Sequence, residues 1–226
     1  MSERSRVVWV ALMCGRLFFE HSASVEMLIR ALGFNDFKMP SLPNVAPTEA
    51  VPVVRFLEGQ LTISPMRWWL VPSWSDGPST KFAMFNARIE SVQTSRAYKG
   101  PLKYRRGIVP ASAFMEWQTV AGKKQPYYFT GDPKPLALAA IWEEWGGELL
   151  SVSVLTQPAD SNFTRYHPRM PVMLSGEQIN HWLDHRLAPK DVLAAVSGAS
   201  VPLLARTVDP QLNNARLKDF PDSFTA

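Results

Sequence analysis

Between Ser22 and Leu32 the apolar residues Val25, Leu28, Ile29 and Leu32 recur at helical spacing on one stripe. Ser22 or Ser24 supplies an N-cap and Gly33 a stop, so this segment predicts an amphipathic helix. After Pro40, Pro43 and Pro47 the period shortens. The run Val51 to Leu57, the turn Glu58-Gly59 and the run Gln60 to Ser64 read as a hairpin, with Met66 to Val71 as another strand. Further strands are expected at Lys81 to Phe85, Gly107 to Val109, Ala113 to Gln118, Tyr127 to Thr130, Leu136 to Trp142 and Glu148 to Thr156. Short turns at Ala121-Gly122-Lys123 and Gly131-Asp132-Pro133 imply antiparallel neighbours. Ser175 with Gln178 forms a capping box ahead of a helix bearing Ile179, Trp182 and Leu183 on one face, and a last short helix spans Pro189 to Ser197. These elements predict a single strand-rich α+β domain with a few peripheral helices.

Composition narrows the picture. Nineteen prolines spread over 226 residues exclude an all-helical bundle. No apolar stretch approaches the ~20 residues a membrane-spanning helix needs, so no membrane role is expected. No linker-like run or repeat divides the chain. Cys14 is the sole cysteine, which permits no internal disulfide and no multi-cysteine zinc site; it suits a reducing compartment and predicts a cytoplasmic location. Between Lys81 and Lys124, nine basic residues stand against Glu90 and Glu116, so this fifth of the sequence carries +7 of a net +4. A basic face of that kind attracts phosphates; a solvated lysine-rich surface is the competing reading.

Candidate chemistry begins at Met13-Cys14-Gly15-Arg16. If Met13 is the initiator, its removal leaves Cys14 with an α-amine and a thiol on adjacent carbons, two nucleophiles that one aldehyde captures as a five-membered ring. The alternative is a small buried residue opening a strand. Residues 1–12 are expected to be a leader or a mis-assigned start, with the domain spanning 13–222. A signal-peptide reading, from Arg4 and Arg6 ahead of Val7 to Met13, fails on a short apolar run and on Met13 where a small residue is needed. Asn86 and Arg88, in Asn86-Ala87-Arg88 at the end of an apolar strand, present an amide and a guanidinium; Asn is also a common turn former. Strand alternation sets Glu116 beside Phe114 on one face, with Met115 and Trp117 on the other. A carboxylate there can exchange protons near neutrality or simply bond a backbone or arginine. His167, between Tyr166 and Pro168-Arg169-Met170-Pro171, sits in a rigid loop where an imidazole beside an arginine suits acid-base work near a phosphate or a structural role. His181 and His185 are four apart, on the face opposite Ile179, Trp182 and Leu183; a solvated face is expected and no metal is assigned. Trp68, Trp69 and Trp74 suit base stacking or, as aromatics in strand-rich domains commonly do, the core.

Together these segments resemble the SRAP family (SOS response-associated peptidase). The motifs are Met13-Cys14-Gly15-Arg16, Asn44-Val45-Ala46-Pro47, Trp69-Leu70-Val71-Pro72-Ser73-Trp74, Asn86-Ala87-Arg88, Thr94-Ser95-Arg96, Arg105-Arg106 with Val109-Pro110-Ala111-Ser112, Phe114-Met115-Glu116-Trp117, and His167-Pro168-Arg169-Met170-Pro171-Val172. The resemblance implies a curved, barrel-like, mostly antiparallel sheet that binds single-stranded DNA and joins covalently to an abasic deoxyribose. It implies Cys14 as the cross-linking residue through a thiazolidine. Glu116 would shuttle protons, His167 would assist ring opening and cross-link reversal, and Asn86 would hydrogen-bond at the reacting centre. Arg16, Arg88 and Arg169 would hold the flanking phosphates. No cofactor is implied, and a monomer is expected.

Two departures stand out. Pro168 occupies a position where aspartate or asparagine is common, and Cys14 lies thirteen residues beyond Met1, where its nitrogen is an amide. Two other readings compete with the cross-linker that has lyase-like chemistry. One is a cysteine peptidase, able to remove its own leader, with Cys14 as nucleophile and His167 or Glu116 as base. The other is a non-catalytic single-strand binding module.

Overall fold

A computed structural model describes residues 15–131 and 134–218. Cys14, the leader and the Asp132-Pro133 turn lie outside the described residues. The strands are β1 (Arg16–Phe19), β2 (Leu42–Val45), β3 (Ala50–Leu57), β4 (Gln60–Arg67), β5 (Asn86–Arg88), β6 (Arg106–Ala111), β7 (Ala113–Val120), β8 (Lys123–Gly131), β9 (Leu136–Trp145), β10 (Leu149–Pro158), β11 (Arg169–Pro171), β12 (Met173–Leu174) and β13 (Leu203–Thr207). The helices are α1 (Ala23–Ala31), α2 (Lys99–Tyr104), α3 (Glu177–Leu183) and α4 (Pro189–Val196), followed by a 3-10 turn at Pro210–Asn213. This is the expected strand-rich α+β class. Among the described residues no helix is long and apolar enough to cross a membrane.

Strand pairing runs β10-β4-β3-β6-β9 and returns from β9 to β10, closing a five-stranded barrel. β5, β11 and β12 extend its rim. The second sheet, β13-β8-β7-β1-β2, leans on it through Leu17, Phe19, Phe114 and Phe129, which join the principal core. Pairing is antiparallel except where β10 meets β4 and β5. Leu136 to Trp142 is buried without interruption because β9 is enclosed on both faces. Where β6 crosses β3, a Cβ on Gly107 would stand 2.8 Å from the Val54 carbonyl oxygen, so only glycine permits the approach.

Local chemistry accounts for most element boundaries. The Ser22 hydroxyl caps α1 by accepting from the Val25 amide at 3.2 Å, and Gly33 leaves the helix at φ +93°. Glu58-Gly59 and Ala121-Gly122 take positive φ at both positions, the type I′ geometry that matches strand twist in two-residue hairpins. Several expectations are corrected. Met66 to Val71 is no separate strand: β4 continues to Arg67, and Trp68 is pulled inward with its indole donating to the Phe85 carbonyl at 2.9 Å. Lys81 to Phe85 is not a strand, because Lys81 and Phe82 face solvent and pairing with β10 begins only at Asn86. The capping box is half made: Gln178 Oε1 accepts from the Ser175 amide, while Gly176 occupies the cap of α3. His185 lies past the end of α3 with its ring 5.7 Å from Phe56, so the two histidines do not share a helical face.

Arg106 is the largest departure from surface expectation. Although it opens β6 in a basic run, it is fully buried. Its guanidinium donates to the carbonyls of Trp182 (2.7 Å), Leu102 (2.9 Å) and Asp184 (2.5 Å), with longer contacts to Lys103 and Leu187. Trp182 answers by donating its indole N–H to the Gly107 carbonyl at 2.8 Å. One side chain therefore fastens the ends of α2 and α3 to the barrel by satisfying carbonyls that helices leave open at their C-termini. Arg106→Met keeps the bulk but strands those carbonyls, and it is expected to destabilise by about 3 kcal/mol or more. A urea midpoint within experimental error of the parent would show that the cage is dispensable.

Candidate functional site

β7 carries the centre of the site because its two faces differ. Phe114 joins the principal core, while Ala113 and Met115 join a smaller cluster with Phe18, Tyr128, Val208 and Leu212. Glu116 therefore shares the inner face with Phe114, as alternation predicts, and is buried to 1% exposure. Across the pairing, Phe114 and Glu116 stand opposite Phe129 and Tyr127 of β8. Phe114 and Phe129 stack at 5.1 Å.

The segment between β10 and β11 docks on this face. Phe163 packs on Phe114 and Phe129 with ring centroids at 5.8 and 4.9 Å, and Tyr166 packs on Tyr127 and Phe129 at 4.7 and 4.9 Å. The Gln118 side-chain amide donates to the Arg165 carbonyl at 2.9 Å. Glu116 lies between Phe114 and Gln118 on that face, so the stretch leading into His167 covers it. The loop is internally braced: Asp160 Oδ1 accepts from the amides of Asn162 and Phe163, and the Ala159 amide donates to the Pro168 carbonyl.

His167 is itself buried at 7% exposure. Its Nδ1 accepts from the Arg169 amide at 3.1 Å, and the Arg169 carbonyl oxygen lies at the same distance, ready to accept when Nδ1 is protonated. The ring is thus anchored through one nitrogen in either protonation state. Asn86 and Arg88 sit on β5 opposite Val154 and Thr156 of β10. Thr156 links them to the loop: its hydroxyl donates to the Ala87 carbonyl (3.3 Å) and accepts from Arg169 (3.2 Å). The Tyr98 hydroxyl donates to the Asn86 carbonyl at 3.4 Å, and burial pushes its pKa up to about 12, so it stays a neutral donor. Asn86, Arg88, His167 and Arg169 accordingly surround the C-terminal half of β10.

The three expected phosphate-binding arginines occupy different settings. Arg88 is exposed. Arg169 makes a bidentate pair with Glu90 at 2.8 and 2.9 Å and donates to the Thr156 carbonyl at 2.8 Å; these bonds hold the Glu90 carboxyl below the usual range. Arg16 donates to the carbonyls of Gly15 and Asn213 at 2.7 and 3.0 Å, and its guanidinium stands 5.8 Å from the Trp117 ring centroid. Gly15, the residue peptide-bonded to Cys14, also borders Trp117, its Cβ position lying 3.9 Å from that ring. With Arg16 paired to Met115, the entry into β1 runs beside the Glu116-Trp117 step of β7.

The basic run does not form one continuous face. Arg106 is internal, and Arg105 Nη2 pairs with the buried Glu143 at 2.8 Å, while Lys81, Arg88, Lys99, Lys103, Lys123 and Lys124 remain outward. Of the tryptophans, Trp68 is core, whereas Trp74 is 53% exposed beneath the Arg96 guanidinium at 4.1 Å. Reading the sequence missed Glu90, Tyr98 and Gln118 as supports of the site. Gln118 alone had a signal, since it shares the alternation that places Glu116.

Comparison with known proteins follows the same residues. The family model described as SOS response associated peptidase (SRAP) matches residues 13–215. The abasic site processing protein YedK of Escherichia coli (strain K12) is 31% identical over 163 residues, covering 70% of this chain and 72% of that protein. The abasic site processing protein YoqW of Bacillus subtilis (strain 168) is 28% identical over 192 residues, covering 81% and 86%. A crystal structure of a protein from Bordetella bronchiseptica superposes with a TM-score of 0.72 at 24% identity, over 87% of this chain and all of that one, and shares the fold. The motifs, the barrel and the family match agree: this chain belongs to the SOS response associated peptidase (SRAP) family.

Proposed function

We propose that this protein processes abasic sites in DNA by binding the single-stranded form and linking covalently to the lesion through Cys14. The observation that carries the reading is that the buried carboxyl of Glu116 lies on a sheet face covered by the loop that leads into the buried His167, beside the strand that follows Cys14 in the chain. Relatives named for abasic site processing support the choice of lesion. The family match begins at Met13, which supports a Cys14 that carries a free amine.

In this reading the ring-opened deoxyribose offers its C1′ aldehyde. The Cys14 α-amine adds to C1′, water leaves to give an imine, and the thiolate adds to the same carbon while the nitrogen takes a proton. A thiazolidine results, and the net loss is one water. Glu116 moves protons during addition and dehydration, and His167 assists sugar ring opening. Asn86 orients the sugar by hydrogen bonding. Arg88 contacts a flanking phosphate directly, while Arg16 and Arg169 contribute positive potential from anchored positions.

A protein beginning at Cys14 is expected to form an adduct with an abasic oligonucleotide that survives denaturing electrophoresis, and Cys14→Ala is expected to form none while binding single strands within a few-fold. The same protein retaining residues 1–13 should bind but form no stable adduct. Equal cross-linking by the two forms would replace the α-amine route with a thiol-only or lysine-based one. Glu116→Gln preserves shape and is expected to slow single-turnover cross-linking by roughly 10²- to 10⁴-fold; an unchanged rate assigns Glu116 a structural role. Arg88→Ala should weaken abasic and intact strands alike and lower the slope of log affinity against log salt by up to about 0.7. Loss confined to abasic strands would put Arg88 at the reaction centre instead.

A further inference from the structure

Gly15 brings no side chain to anchor the chain where it leaves Cys14, so its backbone is held by other residues. The Arg16 guanidinium folds back on it: Nη1 donates to the Gly15 carbonyl at 2.7 Å while Nη2 donates to the Asn213 carbonyl at 3.0 Å. The Trp117 ring borders both this guanidinium and Gly15. Its indole N–H donates to Oδ1 of Asn213, which closes a ring of contacts through Arg16, Trp117 and Asn213 that takes in the Gly15 carbonyl.

Asn213 is exposed and stands 197 positions from Arg16, yet the chain on both sides of it is fastened. It ends the 3-10 turn, which Asp209 caps by accepting from the Gln211 amide at 2.8 Å. Leu212 is buried with Phe18, Met115 and Tyr128 in the smaller cluster, and Leu217 packs against the same cluster. The buried Asn44 donates from Nδ2 to the carbonyls of Asn214 and Leu217, both at 3.0 Å. Lys218 Nζ returns to the Asn44 carbonyl and to the Glu49 carboxylate, each at 2.9 Å. Asn213 therefore offers its two oxygens to Arg16 and Trp117 from a fixed base.

Resting on the proposed function, we infer that Asn213 is a positioning residue for the cross-linking reaction: it holds Arg16 and Trp117 against Gly15 and so fixes the direction in which Cys14 is presented to the sugar. A restraint of this kind sets the approach of amine and thiol in advance. It acts on the rate within the bound complex and leaves binding alone.

The test uses the protein that begins at Cys14, with single-turnover cross-linking followed across a range of abasic oligonucleotide concentrations. Asn213→Ala removes Oδ1 from an exposed position and keeps the carbonyl that Arg16 uses. It is expected to lower the maximal rate by about 5- to 30-fold while the half-saturating concentration changes by less than about 2-fold. Asn213→Asp retains the acceptor and should restore the maximal rate to within about 3-fold of the parent. Trp117→Phe leaves a ring beside Gly15 but no donor; it should slow the reaction as Asn213→Ala does, and the double variant should be no slower than either single one. A further measurement needs no reaction: the NMR order parameter of the Gly15 amide is expected to fall from about 0.85 in the parent towards about 0.6 in Asn213→Ala. An Asn213→Ala protein with the parent's maximal rate, or with unaltered order at Gly15, overturns the positioning role, and so does a double variant in which the two losses multiply. A parent that forms no adduct overturns the cross-linking reading instead, and the order of Gly15 then decides alone whether Asn213 restrains the chain there.

Discussion

The insertion of Phe163 and Tyr166 between the rings of Phe114, Tyr127 and Phe129 is the contact from which the site is built. Aromatic pairs of this kind contribute roughly 0.5–1.5 kcal/mol each beyond the area they bury. Their greater effect is geometric, because a ring seated among rings admits few orientations. A loop of ten residues is thereby pressed on β7 at a fixed height, and the imidazole that follows Tyr166 inherits that position. The hydrogen bond from Gln118 to the Arg165 carbonyl sets the lateral register.

Charge is handled in opposite ways at the two ends of the barrel. Around β10, Arg169 is matched to Glu90 and Thr156, so the guanidinium braces the loop with its charge met by a carboxylate. Inside, the hydrogen bonds of Arg106 go to backbone carbonyls, and burial lowers its pKa while the Asp184 charge opposes the shift. Guanidinium suits the internal role because it stays protonated when desolvated and presents a planar fork of donors; an ammonium would satisfy fewer carbonyls and lose its proton more readily. The same residue type thus binds backbone carbonyls inside the fold and a carboxylate near its surface.

Local chemistry was legible in the sequence, and long-range closure was not. The Ser22 cap, the Glu58-Gly59 turn and the apolar stripe of α3 depend on neighbours within four residues, so composition and spacing reveal them. Alternation likewise put Glu116 on the face of Phe114. The barrel came into view through family resemblance, since the pairing of β4 with β10 or of β6 with β9 leaves no mark in either strand alone. Lys81 to Phe85 misled because an apolar run reads as a strand whether or not a partner is present. Arg106 misled because arginine in a basic run reads as surface, while the carbonyls that receive it come from far along the chain. The Glu90 support of Arg169 was invisible for the same reason: the partners are 79 positions apart.

The Arg106 cage also orders events in time. Its carbonyl acceptors on Trp182 and Asp184 are made 76 and 78 residues after it. At ~5–20 residues per second of synthesis, β6 waits about 4–16 s with a charged group that cannot enter the core. Until α3 emerges, those two acceptors are missing and water must solvate that part of the guanidinium. The cage around a residue in the first half of the chain is completed only by the last third.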